Sequence, residues 1–250
     1  MQIGTLYGIG VGPGDPELIP LKGLRRLQTA PVVAFPAGMG GKPGIAQQII
    51  AEWLSPQQVQ LALNFPYVQD ESVLKQAWQE AAEKVWQYLQ QGLDVVFASE
   101  GDASFYSTFT YLSQTIRELH PEVEVQIVPG ICSPLAAAAA IGIPLTYRAQ
   151  RLAVLPALYA IEELEMALDW ADVVVLLKVS SVYEQVWGVL KQRGLLESSW
   201  VVERVTQSQQ VIYNNLSDRP HLNLSYFSLA IVQVPNSKNN KAAVGNISPL

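Results

Sequence analysis

The sequence predicts an α/β protein of two domains, the first over residues 1–146 and the second over residues 147–236. Three observations carry this. Short apolar runs alternate with longer helical patterns through the first half, the signature of βα units on a mostly parallel sheet. A segment bearing Pro144, Arg148 and Arg151 then interrupts the pattern. Beyond it, late apolar runs follow one another without helices, which predicts an α+β domain with antiparallel pairing. With 250 residues, 49% of them hydrophobic, the chain has enough apolar material for two cores.

In order, the first half offers strands at 3–9, 32–35, 60–63, 94–98 and 123–128, with Val and Ile on both faces as in buried parallel strands. Between the third and fourth, residues 72–91 place Leu74, Trp78, Ala81, Val85 and Leu89 at helical spacing, one apolar stripe with charges opposite. Trp78 and Trp86 read as core. An Ala-rich helix opens with Ser133 as N-cap and Pro134 at its first position, and Gly142 closes it with Pro144 beyond. The second half offers strands at 152–155, 173–177, 201–204, 211–216 and 227–234, with helices near 161–168 and 182–193. The tail, 237–250, is rich in Asn, Ser and Lys without periodicity and is expected to be disordered and dispensable.

Composition narrows the function. The net charge of -6 argues against non-specific nucleic-acid binding, which needs clustered cations. The longest apolar runs, 173–177 and 135–143, fall far short of the roughly 20 residues of a membrane helix, and no charged-then-apolar leader opens the chain. A lone Cys132 excludes an intrachain disulfide and a Cys-based zinc cluster. His120 and His221 read as surface residues rather than ligands. The expectation is a soluble, cytoplasmic protein without metal, membrane or nucleic-acid partner.

The informative feature is three loops, each directly after a predicted parallel strand, where open α/β sheets bind ligands. They run over 8–18 (GIGVGPGDPEL), 99–108 (SEGDASFYST) and 128–134 (VPGICSP). A dinucleotide fingerprint G-x-G-x-x-G needs a third glycine where this chain has Pro13 or Asp15, and an acidic residue where the second strand ends in Phe35-Pro36-Ala37-Gly38. That reading fails twice, and no phosphate-cradling P-loop occurs. A tight turn alone would account for one such loop, but three at one sheet edge point to a ligand. In the second loop, Ser104 is expected to cap a helix running through Tyr106 and Leu112, leaving Gly101 and Asp102 open to the ligand. Elbow, zincin and histidine–nucleophile motifs are missing, so hydrolytic and metal chemistry lack their parts.

At these loops the chain resembles the tetrapyrrole (corrin/porphyrin) methylase family, from Leu6 to about Val234. The family's G-x-G-P-G-D-P-E-L is matched by Gly10 to Leu18, its G-D-P-x-F-Y-S by Gly101 to Ser107, and its V-P-G-[IV]-[TS]-[SA] by Val128 to Ser133. Ala103 stands where Pro is usual, Cys132 where Thr is common, and Lys178-Val179-Ser180-Ser181 where a glycine-bearing stretch is usual. The resemblance implies two α/β domains with the methyl donor, S-adenosylmethionine, in the cleft between them, and a homodimer. It implies donor contacts at Glu100, Gly101, Asp102, Phe105, Cys132, Ser133, Leu177, Lys178 and Val205, and a substrate trough faced by Pro13, Gly14 and Asp15. The stretches 101–109, 151–157 and 226–229 are most similar to members that methylate C(20), the carbon bridging rings A and D of precorrin-2 or its cobalt form, on the way to cobalamin. Such chemistry needs neither metal nor strong base when the substrate carbon is nucleophilic, because positioning supplies much of the acceleration.

Some residues have competing readings. Tyr106 reads as packing its ring rather than orienting substrate. Asp102 is taken as a ligand to a ribose hydroxyl over a residue that only complements a helix dipole. Lys22, Arg25, Arg26, Lys42, Arg148, Arg151 and Arg204 are candidate partners for substrate carboxylates. Alternatives are methylation at another ring position, methylation of RNA or a protein side chain, and a binding protein that has lost catalysis.

Overall fold

A computed structural model describes residues 2–38, 40, 42–66, 68 and 70–235. The expected tail lies outside them. The chain divides into a first compact unit ending at Cys132 and a second beginning at Ser133.

The first unit is built on five parallel strands, β1 (Leu6–Gly10), β2 (Val32–Pro36), β3 (Val59–Leu63), β4 (Val95–Ser99) and β5 (Val125–Val128), in the order β3-β2-β4-β1-β5. Central β1 and β4 are buried throughout, whereas edge strand β3 is largely exposed and edge strand β5 mostly half-buried. Their Val and Ile content thus reflects strand propensity as well as burial. Helices α1 (Leu21–Thr29), α2 (Ile45–Ile50), α3 (Glu71–Leu89) and α4 (Thr108–Leu119) connect the strands. One face of the sheet buries Leu6, Val32, Val95 and Phe97 with α3 and α4; the other buries Tyr7, Ile9, Val33 and Val96 with α1 and α2.

Helix α3 starts where the carboxylate of Asp70 accepts from the N–H groups of Ser72 and Val73. Its buried stripe is Ala77, Ala81, Ala82, Val85 and Leu89. Trp78 and Trp86 are only partly buried: Trp78 stacks on Tyr111 at 4.4 Å and Trp86 on His120 at 3.7 Å. Small alanines let α3 approach its neighbours, so the large rings lie at its flanks.

The second unit opens with helix α5 (Ser133–Ile141) and has a mixed sheet of β6 (Leu152–Leu155), β7 (Val173–Leu177), β8 (Ser199–Glu203), β9 (Val211–Asn214) and β10 (Ser228–Gln233), ordered β6-β7-β10-β8-β9. Only β6 and β7 run parallel; β10 is antiparallel to both β7 and β8. Helices α6 (Ile161–Trp170) and α7 (Tyr183–Gln192) bury Leu164, Leu168, Val186 and Leu190 against it.

The unit boundary falls at 132/133, earlier than the expected 146/147. Helix α5 packs on β10 and so belongs to the second unit, a contact no local pattern announces. Its end follows the sequence: Gly142 has φ +80°, and the N–H groups of Gly142 and Ile143 close back on Ala139 and Ala138 in a Schellman motif.

Candidate functional site

In the first unit, the loops after β1, β4 and β5 are knitted together backbone to backbone. Gly12 and Gly101 exchange both hydrogen bonds, at 3.1 and 2.8 Å, in an isolated antiparallel bridge. Both have positive φ, +80° and +70°, which glycine adopts without penalty. A Cβ on Gly10 would lie 2.6 Å from Gly130 Cα, and one on Gly130 would drive into Gly101 O. Gly10 and Gly130 therefore serve loop-to-loop packing. Gly101 differs, because a Cβ there would find nothing nearer than Cys132 Cα and Ile131 O, both at 3.9 Å. Gly101 is itself buried, but the side facing Ile131 and Cys132 has room for a Cβ without a clash.

Asp102, only 8% exposed, ties the second loop to the third. Its Oδ2 accepts from Gly130 N at 2.6 Å, and its Oδ1 accepts from Ser104 N at 2.8 Å and Ser104 Oγ at 2.6 Å. Burial works against its charge, but hydrogen bonds from the Ser104 hydroxyl and the Gly130, Ser104 and Phe105 amides outweigh it, holding the carboxyl below its ordinary value. Both oxygens accept bonds that order the second loop and tie it to the third, and a carboxylate has acceptor capacity beyond these three.

Ser104 donates to Asp102 instead of capping the next helix. Ser107 is the cap: its Oγ accepts from Phe109 N at 3.1 Å and lies 2.6 Å from Ser99 Oγ, so α4 begins at Thr108. Two serines three residues apart offered the same local signal, and the Asp102 contact decides between them. Ala103 is fully buried, Phe105 partly buried. Tyr106 is 57% exposed with φ +51°, and its ring packs edge to face on Phe105 at 4.6 Å. Among the trough residues, Pro13 is buried, while Gly14 and Asp15 are partly exposed. Asp15 Oδ1 accepts from Glu17 N at 2.9 Å and caps a short 3-10 turn over Pro16–Leu18. Glu100 and Cys132 are partly exposed, and Ser133 opens α5.

The second group of expected residues sits at one end of the second sheet. Leu177 ends β7; Lys178 follows, exposed and with φ +55°. Val205 is buried just past β8, flanked by Arg204 at φ +49° and Thr206 at φ +63°. Tyr226 and Phe227, which precede β10, complete this edge: Lys178 Nζ lies 5.3 Å from the centre of the Tyr226 ring, and Arg204 N donates to Phe227 O at 2.7 Å. The sequence carries no sign of the Lys178–Tyr226 pair or of the left-handed backbone, because a positive φ on a residue other than glycine leaves no mark in residue type.

Of the other candidate cations, Arg151 is engaged with Asp172 at 3.2 Å, Arg26 lies over the Tyr7 ring and Arg148 over Tyr147. Lys22, Arg25 and Lys42 are exposed. Among the described residues no group of His, Cys, Asp and Glu could hold a metal, and no helix is long and apolar enough to cross a membrane.

Comparison with known proteins bears on this geometry. Residues 5–219 match the model of the Tetrapyrrole (Corrin/Porphyrin) Methylases. The chain is 33% identical to the cobalt-precorrin-2 C(20)-methyltransferase of Salmonella typhimurium over 92% of its own length and 96% of the relative's. It is 32% identical to the cobalamin biosynthesis protein CobIJ of Mycobacterium tuberculosis; there 98% of this chain is covered but only 48% of the relative, so the chain spans about half of that protein. A crystal structure of a cobalt precorrin-4 methyltransferase, 25% identical, superposes with a TM-score of 0.69, covering 92% of this chain and 94% of that one. The uroporphyrin-III C-methyltransferase of Thermus thermophilus in complex with S-adenosylhomocysteine has the same fold, at 22% identity, a TM-score of 0.65 and 92% of each chain. The two α/β units are thus those of a known fold, and the chain belongs to the tetrapyrrole (corrin/porphyrin) methylase family.

Proposed function

We propose that the protein transfers a methyl group from S-adenosylmethionine to C(20) of precorrin-2 or cobalt-precorrin-2 in cobalamin biosynthesis. The observation that carries this reading is the glycine-knitted edge of the first unit, where backbone packs against backbone at Gly10 and Gly130 but leaves room for a Cβ beside Gly101. Relatives named for that reaction, at 30–33% identity over nine-tenths of the chain, support it.

The donor supplies an electrophilic methyl on a sulfonium. The room beside Gly101, with Ile131 and Cys132 beyond it, fits a ligand that lies against bare backbone, and Asp102 keeps those segments in place before anything binds. Glu100, Phe105, Cys132, Ser133, Leu177, the backbone of Lys178, and Val205 are proposed as the remaining donor contacts, with Gly14 and Asp15 toward the ring substrate. No side chain here need remove a proton before transfer: the residues hold two reactants in line, which can supply several kcal/mol of a barrier, about 7 or more in favourable cases. The same reading makes the protein a cytoplasmic homodimer, for which light scattering should return twice the chain mass.

Incubation of precorrin-2, with and without cobalt, with isotope-labelled donor tests the assignment. Label at C(20) is the expected result. Label on another carbon would move the protein to a different position-specific methylase, and binding of S-adenosylhomocysteine without transfer to either substrate would make it a non-catalytic relative.

A further inference from the structure

We propose that Lys178 and Arg204, on either side of the Tyr226–Phe227 pair, form a receiving edge for carboxylate arms of the ring substrate; this rests on the function proposed above. The strand order β7-β10-β8 creates the arrangement. Pairing of Leu229 with Leu177 and of Ser228 with Glu203 brings the residues after β7 and β8 to the two flanks of the segment that enters β10. Lys178 lies on one flank with its ammonium over the Tyr226 ring; on the other, Arg204 donates its amide to Phe227 O, and its guanidinium reaches only a long, exposed contact at 3.4 Å to Gln209 Oε1. Tyr226 and Phe227 meet edge to face at 5.3 Å, and Glu203 Oε1 accepts from Ser225 N at 2.9 Å, which anchors the stem of the aromatic segment.

Both cations are held in left-handed backbone, φ +55° and +49°, where glycine would be free of strain. Retention of a long cationic side chain at a strained position is what function, rather than packing, explains, since Lys178 is exposed. The ring face under the ammonium limits its wandering and lowers the entropy lost when it meets an anion. A carboxylate could come from the donor's amino-acid end or from the ring substrate. The donor's single carboxylate is accompanied by its own ammonium and by a sulfonium, which two cations would repel. A tetrapyrrole bearing several acid side chains has the complementary charge, and its apolar body suits the two rings. Tyr226 acts here as a positioning residue for Lys178.

The test measures binding of a stable tetrapyrrole polycarboxylate by quenching of tryptophan fluorescence, at several salt concentrations, and of S-adenosylhomocysteine by calorimetry. Lys178→Met and Arg204→Met should each weaken the tetrapyrrole about tenfold and flatten its salt dependence, with the nucleoside unaffected. Tyr226→Leu should weaken the tetrapyrrole severalfold, and Tyr226→Phe should restore it. Lys178→Gly separates binding from folding: Tm should stay close to that of the wild type or exceed it while tetrapyrrole binding falls as in Lys178→Met. Unchanged tetrapyrrole affinity in both Met variants would overturn the proposal. So would loss of nucleoside affinity alone, which would make the carboxylate the donor's. Because the probe is bound without turnover, a protein that binds it through these cations yet fails to methylate precorrin-2 would refute the proposed reaction and not the receiving edge.

Discussion

The loop edges of the two units meet the same demand, a chain that turns sharply after a strand, with different residues. In the first unit the sharp places are glycines: Gly12 and Gly101 at positive φ, Gly10 and Gly130 where backbones touch. In the second they are Lys178, Arg204 and Thr206, which keep their side chains in the left-handed region. A left-handed residue other than glycine costs on the order of 1 kcal/mol. The first edge gives up side chains so that backbone can lie against backbone; the second bears strain so that side chains stay. Tyr106, with φ +51° and its ring against Phe105, brings the second strategy into the first unit.

The largest test of this contrast is at the tightest contact. Gly130→Ala places a Cβ against Gly101 O and within 2.6 Å of Gly10 Cα, all backbone that cannot rotate away. A loss on the order of 3 kcal/mol in denaturant unfolding is expected. A loss below about 1 kcal/mol would mean that the loops are not packed as described.

Asp102→Asn comes next. The amide keeps one acceptor where the carboxylate used two, so one of the Gly130 and Ser104 bonds is lost, at about 1–3 kcal/mol. Because the folded carboxyl has a lowered pKa, its stabilisation is present above the unfolded value near 3.8 and disappears as pH falls through the folded value. The gap between wild type and Asp102→Asn should therefore be constant near neutrality and narrow below about pH 4. A gap that widened on acidification would reverse the assigned sign.

A smaller effect on stability is expected at Gly101, where strain acts without a clash. Gly101→Ala should cost on the order of 1 kcal/mol, well under Gly130→Ala. Gly101→Val should remain folded, on the argument that its strain of about 1–3 kcal/mol is survivable, yet lose S-adenosylhomocysteine binding by calorimetry. Normal binding by the valine variant would move the donor away from this loop. Smallest of all is Lys178→Gly, for which relief of strain and added freedom of the unfolded chain nearly cancel, leaving stability within about 1 kcal/mol of wild type or above it.

Sequence and structure part company at identifiable places. The strand positions are legible because short runs rich in Val and Ile suit strands both at the buried centre of a sheet and at its edges. The three loops were legible because glycines clustered directly after such runs free the backbone for sharp turns and close approach. The cap of α4 was not, since Ser104 and Ser107 are equivalent locally. Nor was the unit boundary, which depends on α5 packing against β10. Trp86 packs against the core from the edge of the alanine stripe, whereas Trp78 stacks on Tyr111 outside it, a difference that apolar spacing does not show.

By itself the sequence determined the two α/β units, the order of their strands along the chain, and the loop motifs that identify the family. These are set by residues within a few positions of one another. Only the tertiary structure decided that the Asp102 carboxylate holds Gly130 across 28 residues, that Gly101 has room for a Cβ where Gly10 and Gly130 have none, and that Lys178 and Arg204 flank Tyr226 and Phe227. Those relations follow from which strands lie side by side, and strand adjacency is fixed by packing of the whole sheet rather than by any local pattern.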